Sequence, residues 1–383
     1  LVDIDADTGS ANINQAINAG SLQINADGTN GDADINANLT TTGGNIAVTV
    51  DDAISVAAGV TIASGGGDVT LRANLDGAAG NGGPAAADSI DMVDGSSINS
   101  GGGTTTLSTD GNNGGLINAE DITASAATIH AETTANINGP INTSGLVDID
   151  ADTGSANINQ AITTSGGNVD IVAATNIAVN QAVTTAGGNV DLTATAGALT
   201  SAADGDINTT HGTAGSNSGQ VTVSVGTDIN LDGDITTTGN GAGNAASVNL
   251  TTTNGDVTVA AISADASGGG TTGTITLDAN GANSDVVVQN DLTTTGGGIT
   301  ITADDAIAFA AAANVASGGG NVSVRGNDDT AAGNGILVAD GPVTAANSIN
   351  MVDGSSINSG AGTATLSTDG NNGGLINAED ITA

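Results

Sequence analysis

Valine, isoleucine and leucine recur at alternate positions in short bursts along this chain, and glycine sets each burst apart. GGNVDIVAA and GGNVDLTAT show the unit, a glycine-rich turn followed by a strand. Period two marks a strand with one buried face. The first inward residue of each strand gives the series Val2, Leu22, Ile46, Val69, Ile90, Thr105, Ala127, Val147, Val169, Val190, Val221, Val248, Ile275, Ile299, Val322, Ile349 and Ala364. The residue two further on is usually apolar as well, as at Ile24, Val48, Leu71, Met92, Leu192 and Met351. Helix is disfavoured, because 3.6-residue periodicity is missing while glycine and β-branched residues abound.

Most spacings in the series fall between 20 and 27 residues, the interval of one solenoid turn. Two intervals of 15, after Ile90 and after Ile349, read as short turns. A second short strand follows in each turn, as in TNIAVNQ (175–181), TDINLDG (227–233) and SDVVVQN (284–290). A third precedes the next glycines, as in AVTTAGG (182–188) and DLTTTGGG (291–298). This pattern predicts an all-β chain folded as a parallel β-helix (β-solenoid) of roughly 16–17 turns. The strong bias of parallel crossovers predicts a right hand. The widest spacing, 31 residues from Val190 to Val221, leaves room for an excursion at 204–219.

A longer repeat overlies the fine one. LVDIDADTGSANINQAI stands at 1–17 and again at 146–162, and STDGNNGGLINAEDITA at 108–124 and again at 367–383. The second pair is offset by 259 residues, as are Ile90 and Ile349. LTTTGG at 39–44 and 292–297 is offset by 253, the later copy carrying extra residues around GILVADGPV (335–343). The expectation is a single continuous solenoid over 1–383 holding about one and a half copies of a long unit. Its terminal turns are expected to be bare β-edges, so that the segment is cut from a longer chain or stacks on identical units.

Composition narrows the function. The only aromatic residue is Phe309, and 60 glycines accompany abundant Ala, Thr, Asn and Asp. Such simplicity is compatible with disorder, but regular alternation of large aliphatics is a pattern that a polar tract does not need. The net charge of −39 leaves Arg72 and Arg325 as the only lysine or arginine positions, which excludes a basic nucleic-acid-binding face. Without cysteine there is neither a disulfide framework nor a thiolate metal site. The longest mostly apolar run, 307–316, is too short to span a bilayer as a helix. Leu1 is preceded by no targeting motif, so any export signal is expected outside this stretch.

Glycine-turn strands such as GGNVDL, Thr/Ala/Asn-rich outer positions, absence of cysteine and long-range duplication resemble the stalks of giant bacterial surface proteins. Filamentous haemagglutinins and autotransporter-type adhesins are the similar family. That resemblance covers the whole chain and implies an exported, extended β-solenoid at the bacterial cell surface, used in adhesion, coating or fibre formation. It carries over no functional residue, and the family's terminal secretion domain has no counterpart in these residues.

Candidate chemistry is sparse. Asp148, Asp170 and Asp191 face outward on three successive turns, where carboxylates about 4.8 Å apart repel unless bridged. Ca²⁺, which prefers oxygen ligands, is the candidate cofactor for these three; the competing reading is a solvated acidic face. The oxygen-rich turns DADTG (150–154), NADGTNGDAD (25–34) and DGNNGG (110–115, 369–374) lack a strict calcium-loop pattern and read as Asx turns. Asp51–Asp52 and Asp304–Asp305 share the string DDAI in both copies, as a structural element would, and no Lys, Trp or Tyr is present to line a sugar cleft. His130 and His211 read as isolated. Threonine runs at 40–42, 236–238 and 293–295 sit at turns with irregular spacing, which suits hydrogen-bonded ladders better than an ice-binding array. The expected function is therefore a non-enzymatic structural rod, a fibre or adhesin stalk. Its expected partners are identical chains or repeats, with other cells or glycans beyond them. The rival is a ligand-binding solenoid for calcium, glycan or ice.

Overall fold

The computed structural model describes residues 1–28, 30–75, 89–110, 115–311, 313–328, 336–337, 343–344, 348–368 and 374–383. Among these residues there is no helix, and none therefore long and apolar enough to cross a membrane. Two compact units, Leu1–Gln181 and Ala182–Ala383, are each a β-solenoid walled by three parallel sheets. In the first unit the first sheet runs from Val2–Asp5 through Leu22–Ala26, Ile46–Val50, Val69–Ala73, Thr104–Thr109, Ala126–Ala131 and Val147–Ala151 to Val169–Ala173. Its second sheet runs from Ala11–Ile13 to Ile177–Val179, and its third from Ile17–Ala19 to Ile162–Thr164. In the second unit the corresponding sheets run from Val190–Ala194, Leu199–Ser201 and Val183–Thr184 to Ala364–Thr368, Ile376–Asn377 and Asp380–Thr382. The chain makes about 14 turns in all. One antiparallel pair, Ile336–Leu337 with Val343–Thr344, lies off the three walls.

Each rung stacks like on like. Val147, Ile149 and Ala151 lie in register with Val169, Ile171 and Ala173, all with no exposed surface. Ala156 and Ile158 from the second wall and Ile162 from the third close the same rung. Full burial of a Val, Ile or Leu side chain contributes about 1.5–3 kcal/mol. With Phe309 as the one large aromatic inside, the bore is filled by many such small increments.

The corners explain the polar residues. At the turn from the third wall back to the first, a buried Thr or Ser donates its hydroxyl to a glycine carbonyl. Thr143 bonds Gly145 O at 2.7 Å, Thr294 bonds Gly297 O at 2.6 Å and Ser359 bonds Gly362 O at 3.0 Å. The threonine runs thus straddle the end of a third-wall strand, as in Leu39–Thr41 and Leu292–Thr293, and the turn that follows it. The glycine pairs divide their labour. Gly166 holds φ at 105°, whereas a Cβ on Gly167 would stand 2.1 Å from the carbonyl of Gly145 in the preceding rung. The first glycine supplies the left-handed backbone, and the second permits backbones of adjacent rungs to approach.

Asparagine and aspartate link rungs side chain to backbone and side chain to side chain. Asn157 donates to Asn136 (2.8 Å), Asn136 to Asn118 (2.9 Å) and Asn118 to Asp91 (2.8 Å), an amide ladder along the second wall. In the second unit Asp228 accepts the Asp256 N–H at 3.0 Å, Asp256 that of Asp285 at 2.9 Å, and Asp285 that of Ala306 at 2.9 Å. Part of the acidic composition is thus corner chemistry rather than free surface charge.

Two sequence assignments need correction. Ile90 and Ile349 belong to the second wall, not the first: Ile90 is in register with Ile54 and Ile117, and Ile349 with Ile307 and Ile376. The supposed 15-residue turns do not exist. Val69 pairs directly with Thr105 and Val322 with Ala364, so these rungs span 36 and 42 residues and the total is about 14 turns, not 16–17. IDM and INM alternate like any first-wall strand, and the glycine-rich insertions before them imitate a corner. GILVADGPV (335–343) falls mostly outside the described residues. The excursion expected at 204–219 is narrower: Ile207–Asn208 remains on the third wall, and the loop leaves between Thr209 and Gly219, whose carbonyl accepts the Thr209 hydroxyl at 2.6 Å.

Candidate functional site

The strand Ala126–Ala131 turns Ala127, Ile129 and Ala131 inward, which leaves Thr128 and His130 outward. One rung on, Val147–Ala151 does the same with Asp148 and Asp150, and Asp152 follows where the strand gives way to its turn. Parallel register sets Thr128 beside Asp148 and His130 beside Asp150. His130 Nδ1 stands 3.5 Å from an Asp150 carboxylate oxygen and Nε2 stands 3.1 Å from one of Asp152. One ligand atom from each of the three lies within 4.8 Å of the others, the one such group among the described residues. The side chains are 38%, 38% and 46% exposed, so solvent reaches the group from outside.

Electrostatically the carboxylates crowd one another. Burial first, then the charges of Asp152 and Asp148, raise the Asp150 carboxyl above the ordinary carboxylate range, while His130 and the Ala151 N–H act in the opposite direction. Chemically the group offers an imidazole nitrogen and two carboxylate oxygens on one outward face. It can hold a histidinium between two aspartates, or a divalent cation.

The carboxylates expected from the sequence are placed as follows. Asp148 and Asp170 are in register on adjacent rungs and half-buried, as the alternation predicts. Asp191 belongs to the second unit, half-buried and in register with Thr222. His130, read as isolated in the sequence, is not. It precedes Asp150 and Asp152 by 20 and 22 residues, one rung, and the alignment of Ala127 with Val147 contains that information. His211 sits in the loop of the second unit, where its Nδ1 accepts the Thr213 N–H at 3.0 Å.

Asp52 and Asp305 of the DDAI pairs are wholly buried at the corner between first and second walls, which is the placement of structural residues. At the first copy of the duplicated string, Asp7 and Asp27 line a shallow pocket with Thr8, Gly28 and Asn30. There Asp5 is raised by the charge of Asp7 first, then by burial, Asp27 and Asp3. Thr29 of that turn, and 111–114 and 369–373 of the DGNNGG turns, lie outside the described residues. No protein family, no curated protein and no solved structure matches this chain.

Proposed function

We propose that the chain is a structural segment of an extracellular bacterial fibre or adhesin stalk, an acidic rod without catalytic activity. One observation carries this reading: identical strings occupy identical places on the rung. Residues 1–17 supply Val2–Asp5, Ala11–Ile13 and the start of Ile17–Ala19, and residues 146–162 supply Val147–Ala151, Ala156–Ile158 and the start of Ile162–Thr164. Residues 108–124 and 367–383 likewise both deliver the end of a first-wall strand, then a second-wall and a third-wall strand. Duplication by whole rungs lengthens a solenoid without disturbing its bore, which is what selection for reach requires. A surface of net charge −39 favours solubility and discourages nonspecific association.

Labelling intact cells with antibodies to this segment, followed by electron microscopy, tests the proposal. The expected result is decoration of surface filaments. Fibre diffraction from the shed material is expected to show a meridional spacing of about 4.8 Å. Label confined to the cytoplasm would reject the reading.

A further inference from the structure

The two copies of LVDIDADTGSANINQAI are identical in sequence but not in surroundings. Asp148, Asp150 and Asp152 have a histidine on the adjoining rung. On the following rung, Asp3 and Asp5 are in register with Gln23 and Asn25, whereas Asp148 and Asp150 are in register with Asp170 and Val172. At the later copy the preceding rung sets an imidazole beside the duplicated string. We propose that His130, Asp150 and Asp152 form a binding site for a divalent transition cation of the zinc type, which staples two adjacent rungs of the first unit.

The donor set selects the metal class. Zinc accepts imidazole nitrogen and carboxylate oxygen together at about 2.0–2.2 Å, and three protein ligands leave it a position for water. Calcium prefers six or more oxygens, and an imidazole contributes none. One ligand atom from each of the three side chains already lies within 4.8 Å of the others, a spread that a single small cation can draw together. One ring nitrogen would ligate, and the carboxylate that stands at the other nitrogen would swing round to join it. Asp148 supplies further negative charge without entering the ligand set. The exposed side of the group leaves an approach for the hydrated ion. Because His130 lies on one rung and both aspartates on the next, binding adds a metal-mediated tie to the backbone hydrogen bonds, core contacts and His130–aspartate pairs that already join these rungs.

The test is titration of the full chain with Zn²⁺ near pH 7.5, with Co²⁺ as a spectroscopic probe and excess Ca²⁺ present to occupy general acidic surface. The expected result is one tight equivalent per chain and visible Co²⁺ bands of nitrogen–oxygen coordination. Zinc should also shift the ring resonances of His130 and leave those of His211 in place. His130→Gln and Asp152→Asn should each weaken binding about tenfold or more, with unchanged far-ultraviolet circular dichroism. Asp7→Asn, which removes the same charge at the other copy, should leave affinity intact. The proposal is overturned if Asp7→Asn weakens binding as much as Asp152→Asn, if excess Ca²⁺ displaces the zinc, or if zinc leaves the His130 resonances unmoved in the unmutated chain.

Discussion

At the scale of single residues, the solenoid is most demanding where rungs touch backbone to backbone. A Cβ on Gly297 would lie 1.7 Å from the carbonyl oxygen of Gly273, a separation that no rotamer relieves. Gly212, in the loop of the second unit, has open space around the same position and no left-handed backbone. Gly297→Ala is therefore expected to cost about 1–3 kcal/mol or more through overpacking, and Gly212→Ala almost nothing, in thermal or denaturant unfolding. Equal effects would mean that the stacking of turns is misplaced. Asp285 makes a second residue-scale case. It is 5% exposed, and burial, followed by the charges of Asp256 and Asp305, raises its carboxyl to about 7 against the bond from Ala306 N–H. An Asn at this position keeps an acceptor for Ala306 without a charge to bury. Asp285→Asn should stabilise the chain at pH 8, by about 1–3 kcal/mol, and have little effect at pH 4, where the native carboxyl is already neutral.

At the scale of the element, the strand is defined by which of its residues face inward. Val190 and Leu192 are buried in the bore, while Thr222, in register with Asp191 one rung away, points outward and is half-buried. Leu192→Asp places an unpaired charge among aliphatics and is expected to cost several kcal/mol; Thr222→Asp is expected to be tolerated. Chevron or melting data showing equal damage would invert the assignment of faces. Alternation made this much legible from the sequence, because one rung reads V-x-L and the next V-x-V. Wall identity was less legible. Ile90 and Ile349 carry the same period-two signal as first-wall strands, and only pairing with Ile54 and Ile307 reveals the wall they occupy. The His130 group was hidden for a related reason. Its members are 20 and 22 residues apart in the chain, so proximity appears only once the strands are laid in register. The acidic ladder Asp228–Asp256–Asp285 was hidden too, since a corner aspartate that accepts the N–H of the next rung looks in sequence like any solvated one.

At the scale of the whole chain, 41 acidic residues face two arginines, and each arginine is already committed: Arg72 to Asp110 and Arg325 to Asp328. Such exposed pairs contribute about 0–1 kcal/mol each, so the acids are left to repel one another. Among the described residues every resolved shift is upward: Asp5, Asp32, Asp34, Glu120, Asp150, Asp256 and Asp285. An acid whose folded pKa exceeds its unfolded one binds its proton more readily in the native state. Folding is then linked to proton uptake, and its stabilising contribution is fully present below the unfolded value and lost as pH rises through the folded one. The window runs from the ordinary values of 3.8 for Asp and 4.5 for Glu up to about 7, the upper limit set by Asp285. Most proteins lose stability on acidification because their carboxylates are paired in the native state; this chain should gain it. The melting temperature is expected to climb steadily as pH falls from 8 to 5, measured in dilute solution to avoid precipitation near the isoelectric point of about 4.1. Sodium chloride should reproduce part of the gain at pH 8 by screening, and much less of it at pH 4, where the charges it screens are being removed. A melting temperature that falls on acidification would show that these carboxylates are held by favourable partners in the folded chain rather than merely crowded together.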